Sequence, residues 1–278
     1  ETGSLSGKLD PEVVTEQVYE WGEVVDEEFD IKVPTYEKAP LAGAIFEMTA
    51  TEDVMSYDGV TQIYSAGDKI MFATEDIVAD KDIYNESGRH LIWKEGDVVY
   101  RAGDALGFPE IEGMEAKASS EVVTNEEGKI NVSRLALGTY SLTEIKAPVG
   151  YKLDGEARSF TFSPQAYDVS FDSQATPEID NPRQVLTAQL DKKVLEEHPY
   201  FKDISVENTL FGLYTKAEIE GLAADTLVAI ANPDAEGKIT FGDVYPGDYY
   251  IKEISTVNGY ELNEGEYEIS LAWDDSNE

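Results

Sequence analysis

The chain has 278 residues, 41% hydrophobic and 10% aromatic, with 22 Gly and 11 Pro; this suits two ordinary domains or one large one and is too rich in bulky side chains for a disordered segment. Its 57 acidic residues against 21 basic ones give a formal charge of −36, which repels phosphate backbones and anionic lipid and so excludes nucleic acid as a partner. Cysteine is absent, which excludes disulfides, thiolate metal sites and cysteine nucleophiles, and no apolar run approaches the roughly 18 residues of a membrane span.

In chain order, Glu1-Thr2-Gly3-Ser4 reads as a vector-derived remnant, and the chain as a piece of a longer protein. Residues 1–28 are expected to be a lead-in, with Tyr19, Trp21, Val24 and Val25 apolar enough to make a strand or to pack on the domain that follows. Residues 11–17 and 216–222 carry the two short helical patterns. Phe29, Ile31 and Val33 alternate as in a half-buried strand, and the small-residue string Pro40-Leu41-Ala42-Gly43-Ala44-Ile45-Phe46-Glu47-Met48 follows.

An irregular stretch at about 49–120 contains Ala73-Thr74-Glu75-Asp76-Ile77 and Lys94-Glu95-Gly96-Asp97-Val98-Val99. Next come a hairpin loop at Asn125-Glu126-Glu127-Gly128, with Gly at the positive-φ position, and a tight turn at Leu137-Gly138. Strand-like runs cover Tyr140-Ser141-Leu142-Thr143-Glu144-Ile145 and Phe160-Thr161-Phe162, before Glu178-Ile179-Asp180-Asn181-Pro182.

The second half repeats the first. Glu127-Gly128-Lys129-Ile130 returns 109 positions later as Glu236-Gly237-Lys238-Ile239. The same spacing pairs Gly138 with Gly247, Tyr140 with Tyr249, Glu144 with Glu253, Gly150-Tyr151 with Gly259-Tyr260 and Leu153 with Leu262. Upstream, the segment from Leu41 to Met48 matches that from Val206 to Leu213 at a spacing of 165, so the first copy carries 56 extra residues. Short alternating runs between turn signals predict an all-β chain of two tandem β-sandwiches, at residues 29–182 and 183–278.

Pro40–Met48 together with Leu137-Gly138-Thr139-Tyr140-Ser141-Leu142-Thr143-Glu144-Ile145-Lys146-Ala147-Pro148-Val149-Gly150-Tyr151 resembles the SpaA-like and collagen-adhesin B-type domains of Gram-positive surface proteins and pilins. The second copy keeps Phe211-Gly212-Leu213-Tyr214, Gly247-Asp248-Tyr249, Glu253 and Gly259-Tyr260, with Ser-Thr-Val where the first has Lys-Ala-Pro. The resemblance implies prealbumin-like (Ig-like) sandwiches in which a Lys on the first strand joins an Asn on the last through an autocatalytic isopeptide bond beside a buried Glu or Asp. The residue types suit that chemistry. Burial lowers a lysine pKa and raises a carboxyl pKa, so the amine can be neutral and the acid can shuttle protons.

Carried onto this chain, the resemblance places the acid at Glu144 and Glu253. It places the first bond between Lys32 and Asn181, with Lys38 as the fallback amine, and the second amine at Lys192. The alternation of Phe29, Ile31 and Val33 aims Lys32 at the opposite face, which a bulge would reconcile; the alternative is a solvated strand lysine. In the second copy Leu186, Ala188, Leu190 and Lys192 share a face. The counterpart of Asn181 falls near 290, so either the last strand lies past residue 278 or Asp274, Asp275 or Asn277 takes its role. For Glu253 the alternative is a partly exposed strand residue.

His90 and His198 lie in different halves, no calcium-loop spacing exists, and neither a metal site nor a cofactor is expected. The expected role is a stalk or shaft segment of an extracellular, cell-wall-attached adhesin or pilin, not an enzyme. Its expected partners are neighbouring domains of the same protein, with a sortase implied by the resemblance. The alternative is an adhesin module whose 49–120 insertion contacts a host protein or glycan: an exposed aromatic patch there favours the adhesin, an insertion packed on its own sandwich the spacer.

Overall fold

The computed structural model describes residues 7–9, 12–25, 28–56, 60–85, 87–162, 178–193 and 205–275. The chain forms two compact units, Glu1–Thr15 with Ala39–Pro182 and Glu16–Lys38 with Arg183–Ser276. Both are β-sandwiches; the helical content of the described residues is two short 3-10 turns, Met114–Lys117 and Val206–Asn208.

In the first unit, β4 (Ile45–Ala50), β13 (Glu121–Val123), β15 (Gly138–Lys146) and β16 (Arg158–Phe162) make an antiparallel sheet in the order β13-β4-β15-β16. Opposite it, β1 (Gly7–Leu9) pairs with β14 (Val132–Leu135), and β17 (Ile179–Asp180) runs parallel to the start of β2 (Val13–Val25). Strict alternation in β4 and β15 sends Phe46, Met48, Tyr140 and Leu142 inward against Val13, Ile130 and Leu135.

Residues 51–120 build a lobe of paired strands. β5 (Val54–Met55) pairs with β6 (Gln62–Tyr64), while β7 (Phe72–Ala73) with β12 (Ala118–Ser119), β8 (Ile77–Val78) with β11 (Val98–Tyr100), and β9 (Ile83–Tyr84) with β10 (Leu91–Trp93) are nested one inside the next. One turn recurs three times in it. In each, the carboxylate of Asp68, Asp97 or Asp104 accepts from the backbone N–H three residues earlier, and Asp53, Asp82 or Asp76 accepts from the next N–H. The string Lys94-Glu95-Gly96-Asp97 is one of these turns, and Ala73-Thr74-Glu75-Asp76 supplies the second carboxylate to another. Val54, Ile70 and Phe72 of the lobe enter the same core as Phe46 and Tyr140.

The second unit repeats the plan. β19 (Leu210–Thr215), β20 (Leu227–Ala231), β22 (Gly247–Ser255) and β23 (Glu266–Leu271) form a sheet in the order β20-β19-β22-β23, and β18 (Leu186–Asp191) pairs with β21 (Lys238–Val244). β15 and β22 have the same length and start 109 positions apart, as the repeat requires. The unit also holds most of a long hairpin made by β2 and β3 (Asp30–Pro40). Trp21 of that hairpin packs edge-on against Tyr245 at 6.0 Å and donates from Nε1 to the Glu220 carbonyl.

Two expectations are corrected here. The first sandwich does not begin at residue 29: β1 and the start of β2 supply its first strand, and residues 16–38 belong to the second unit. Alternation in 29–33 signalled a strand without saying which sheet receives it. Nor are the two helical patterns helices. Residues 13–17 lie in β2, and 216–222 form a turn closed by reciprocal hydrogen bonds between Ile219 and Leu222.

Candidate functional site

Strand alternation puts a carboxyl group on the apolar face of each sandwich. Tyr140, Leu142 and Glu144 point inward along β15, as Tyr249, Ile251 and Glu253 do along β22, and both glutamates are buried. Each sits in a slightly irregular register opposite an aromatic ring, Glu144 across from Phe46 and Glu253 across from Phe211.

In the first unit Asn181 is wholly buried and donates from Nδ2 to both oxygens of Glu144, at 2.7 and 2.8 Å, and to the Lys152 carbonyl at 3.1 Å. Parallel pairing holds it there: Asn181 donates its N–H to the Val14 carbonyl, and the Thr15 hydroxyl donates to the Asn181 carbonyl at 2.6 Å. The backbone N–H of Asp154 supplies a further donor to Glu144 at 2.8 Å. Burial pushes the Glu144 carboxyl above its ordinary range, and the donors from Asp154 and Asn181 pull it back only in part. Asn181 Oδ1 finds no donor among the described residues.

Lys32 is not part of this cluster. It lies in the second unit, where its ammonium pairs with Glu23 at 3.2 Å and Asp30 at 3.4 Å, an environment that raises its pKa, chiefly through the hydrogen bond to Glu23. The physical reason is the alternation itself: Ile31 turns to the buried side of β3, and Lys32 turns to the other. Lys38 is exposed. The structure thus sets Asn181 against Glu144 and Lys32 against Glu23 and Asp30.

In the second unit Lys192 Nζ lies 2.8 Å from Glu253 Oε2 and 5.7 Å from the centre of the Phe211 ring. Its side chain is 21% exposed and that of Glu253 1%. Glu253 Oε1 has no partner among the described residues. Asp274 is placed elsewhere, its backbone N–H and carbonyl bonded to the side chain of Gln184, before the start of the strand that Lys192 follows. Asp275 lies in the same short tail after β23, and Asn277 and His198 lie outside the described residues.

Sequence reading missed what fixes the amine position. Lys192 donates its N–H to the Gly237 carbonyl at 2.7 Å, and Gly237 at φ +85° approaches so closely that a Cβ would stand 2.3 Å from the Lys192 carbonyl oxygen. The repeated glycines were legible; what they touch was not. Among the described residues no group of three or more His, Asp or Glu is arranged to hold a metal ion, and no helix is long and apolar enough to cross a membrane.

Fold and site together define a tandem two-sheet β-sandwich protein with a core-facing carboxyl group in each sandwich. A family model for the SpaA prealbumin-like fold domain matches residues 98–175 and 202–278, more than half of the chain, and the chain belongs to that family. Among solved structures it is similar to the Bacillus anthracis TIE protein, at 15% identity over 99% of this chain and 57% of that one with a TM-score of 0.40. It is similar also to a streptococcal ancillary pilin, at 14% identity over 99% and 61% with a TM-score of 0.27. The shaft pilin of Lactobacillus rhamnosus GG matches at 13% identity over 96% and 95% with a TM-score of 0.25. The chain thus spans 57% and 61% of the lengths of the first two. No curated protein matches it.

Proposed function

We propose that the chain is a structural stalk segment of a pilin or cell-wall-attached surface protein on the exterior of a Gram-positive bacterium, and that its second unit is built to be closed by an isopeptide bond from Lys192. The observation that carries the reading is the Lys192 amine held 2.8 Å from a buried glutamate inside a SpaA-family sandwich. Transfer of a proton from the ammonium to Glu253 would leave a neutral amine beside a neutral acid. The amine can then attack the side-chain carbonyl of an Asn: the new N–C bond forms, the old amide C–N bond breaks, the departing nitrogen leaves as ammonia with the proton held by Glu253, and the attacking nitrogen gives one proton to Glu253 in exchange. An Asp partner would release water instead. Glu253 acts once, on its own chain, and there is no turnover.

A covalent tie between first and last strands carries tension through a bond instead of a ladder of hydrogen bonds, and it restricts the unfolded chain as a disulfide does, by about 2–4 kcal/mol on that analogy. The lobe at 51–120 supports a spacer over a ligand-binding module, because Phe72 and Tyr100 turn inward and Val54 and Ile70 join the core of their own sandwich. The partners in this reading are neighbouring subunits or domains of the same assembly, joined by a sortase; a host protein or glycan belongs to the adhesin alternative. The test is peptide mapping of Lys192 in the protein recovered from its cell wall. A Lys192 peptide joined through Nζ to an Asn or Asp peptide is the expected result; a free Lys192 side chain would overturn the covalent part.

A further inference from the structure

The two sandwiches hold their glutamates in one frame but give them different partners. Gly128 and Gly237 are repeat equivalents, and each accepts at 2.7 Å from one backbone N–H of the first strand, Val13 in one unit and Lys192 in the other. A Cβ on either glycine would fall 2.3 Å from the carbonyl oxygen of that same residue. One step earlier Glu12 bridges Lys129 as Asp191 pairs with Lys238, again 109 positions apart. Val13 therefore stands where Lys192 stands. It is wholly buried in the core that contains Phe46, the repeat equivalent of the Phe211 ring beneath Lys192.

From this we infer that the first unit carries an isopeptide site disarmed at its amine: Glu144 and Asn181 are assembled, Val13 supplies no nucleophile, and the sandwich is closed by hydrogen bonds alone. The inference rests on reading Lys192 and Glu253 as the amine and acid of such a site. Lys152, whose carbonyl accepts from Asn181, has an exposed side chain, and Lys32 is engaged by Glu23 and Asp30. Asn181 Nδ2, the nitrogen that would leave, faces both oxygens of Glu144, where the acid can hand it a proton.

One substitution should arm the site. In Val13→Lys the introduced amine passes its proton to Glu144 and attacks Asn181 Cγ; the Cγ–Nδ2 bond breaks, and Nδ2 leaves as ammonia with that proton. The experiment is intact mass of the denatured protein with peptide mapping. In the unaltered protein the Asn181 peptide should be linear and unmodified. Beyond whatever loss the unaltered protein shows, Val13→Lys should lose one further ammonia and join residues 13 and 181, while Val13→Lys with Glu144→Ala, and Val13→Met, should show no further loss.

A cross-link at Asn181 in the unaltered protein, to any lysine, overturns the inference. So does a Val13→Lys protein that unfolds at the temperature of Val13→Met yet loses no ammonia beyond the unaltered protein. If Val13→Lys does not fold, the map of the unaltered protein decides. The Lys192 peptide in the same digests separates the two readings: a linked residue 13 with a free Lys192 would sink the proposal for the second unit and leave this one standing.

Discussion

Asn181→Ala tests the hydrogen-bonded closure of the first unit directly. The substitution removes the donor that Glu144 receives at 2.7 and 2.8 Å and the bond to the Lys152 carbonyl at 3.1 Å. A bond to a charged acceptor contributes roughly 1.5–3 kcal/mol and a neutral one about 1, so the expected loss is about 3 kcal/mol where Glu144 is ionised. For a unit of this size that lowers the midpoint of thermal unfolding by roughly 6–12 °C. Calorimetry on the whole chain should show the first unit's transition falling while the second stays in place.

The pH dependence has a definite sign. Burial raises the folded-state pKa of Glu144, so this residue's contribution to stability is fully present below its unfolded pKa and is lost as pH rises through the folded one. Asn181 pulls that folded value down, and removing it raises the value further. The gap between the two proteins is therefore widest above both folded values and narrows toward about pH 4, where both carboxyls become neutral. An equal shift at high pH and near pH 4, or none at high pH, would refute the account.

Other perturbations read the remaining parts. Lys192→Met leaves Glu253 buried without its cation; with Lys192 one-fifth exposed, the second unit should lose about 2–3 kcal/mol by calorimetry if no bond has formed. Gly237→Ala places a Cβ 2.3 Å from the Lys192 carbonyl at φ +85°, and about 2–3 kcal/mol of strain should lower the same transition. Trp21→Ala removes the edge contact with Tyr245 at 6.0 Å, so the hairpin of β2 and β3 should become open to limited proteolysis while β18 to β23 remain protected. Asp82→Ala deletes one acceptor from a turn of the 51–120 lobe, costing about 1 kcal/mol and speeding hydrogen exchange at the Glu95 amide.

The repeat and both acids were legible in the order of residues alone. Alternation is local, so Tyr140, Leu142 and Glu144 had to share a face, and the 109-residue spacing carried the same conclusion to Glu253. The turn glycines Gly128 and Gly237 were equally legible, since positive φ favours that residue. Strand partners were not. Neighbours in a sheet are chosen by packing between segments distant in sequence, and nothing local in 29–33 says that Lys32 joins a hairpin of the second unit while Val13 lines the first core. Only the tertiary structure set Asn181 against Glu144 across the core and placed Val13 at the position that Lys192 holds in the second unit. A side chain can react only with what the folded chain brings within bonding distance.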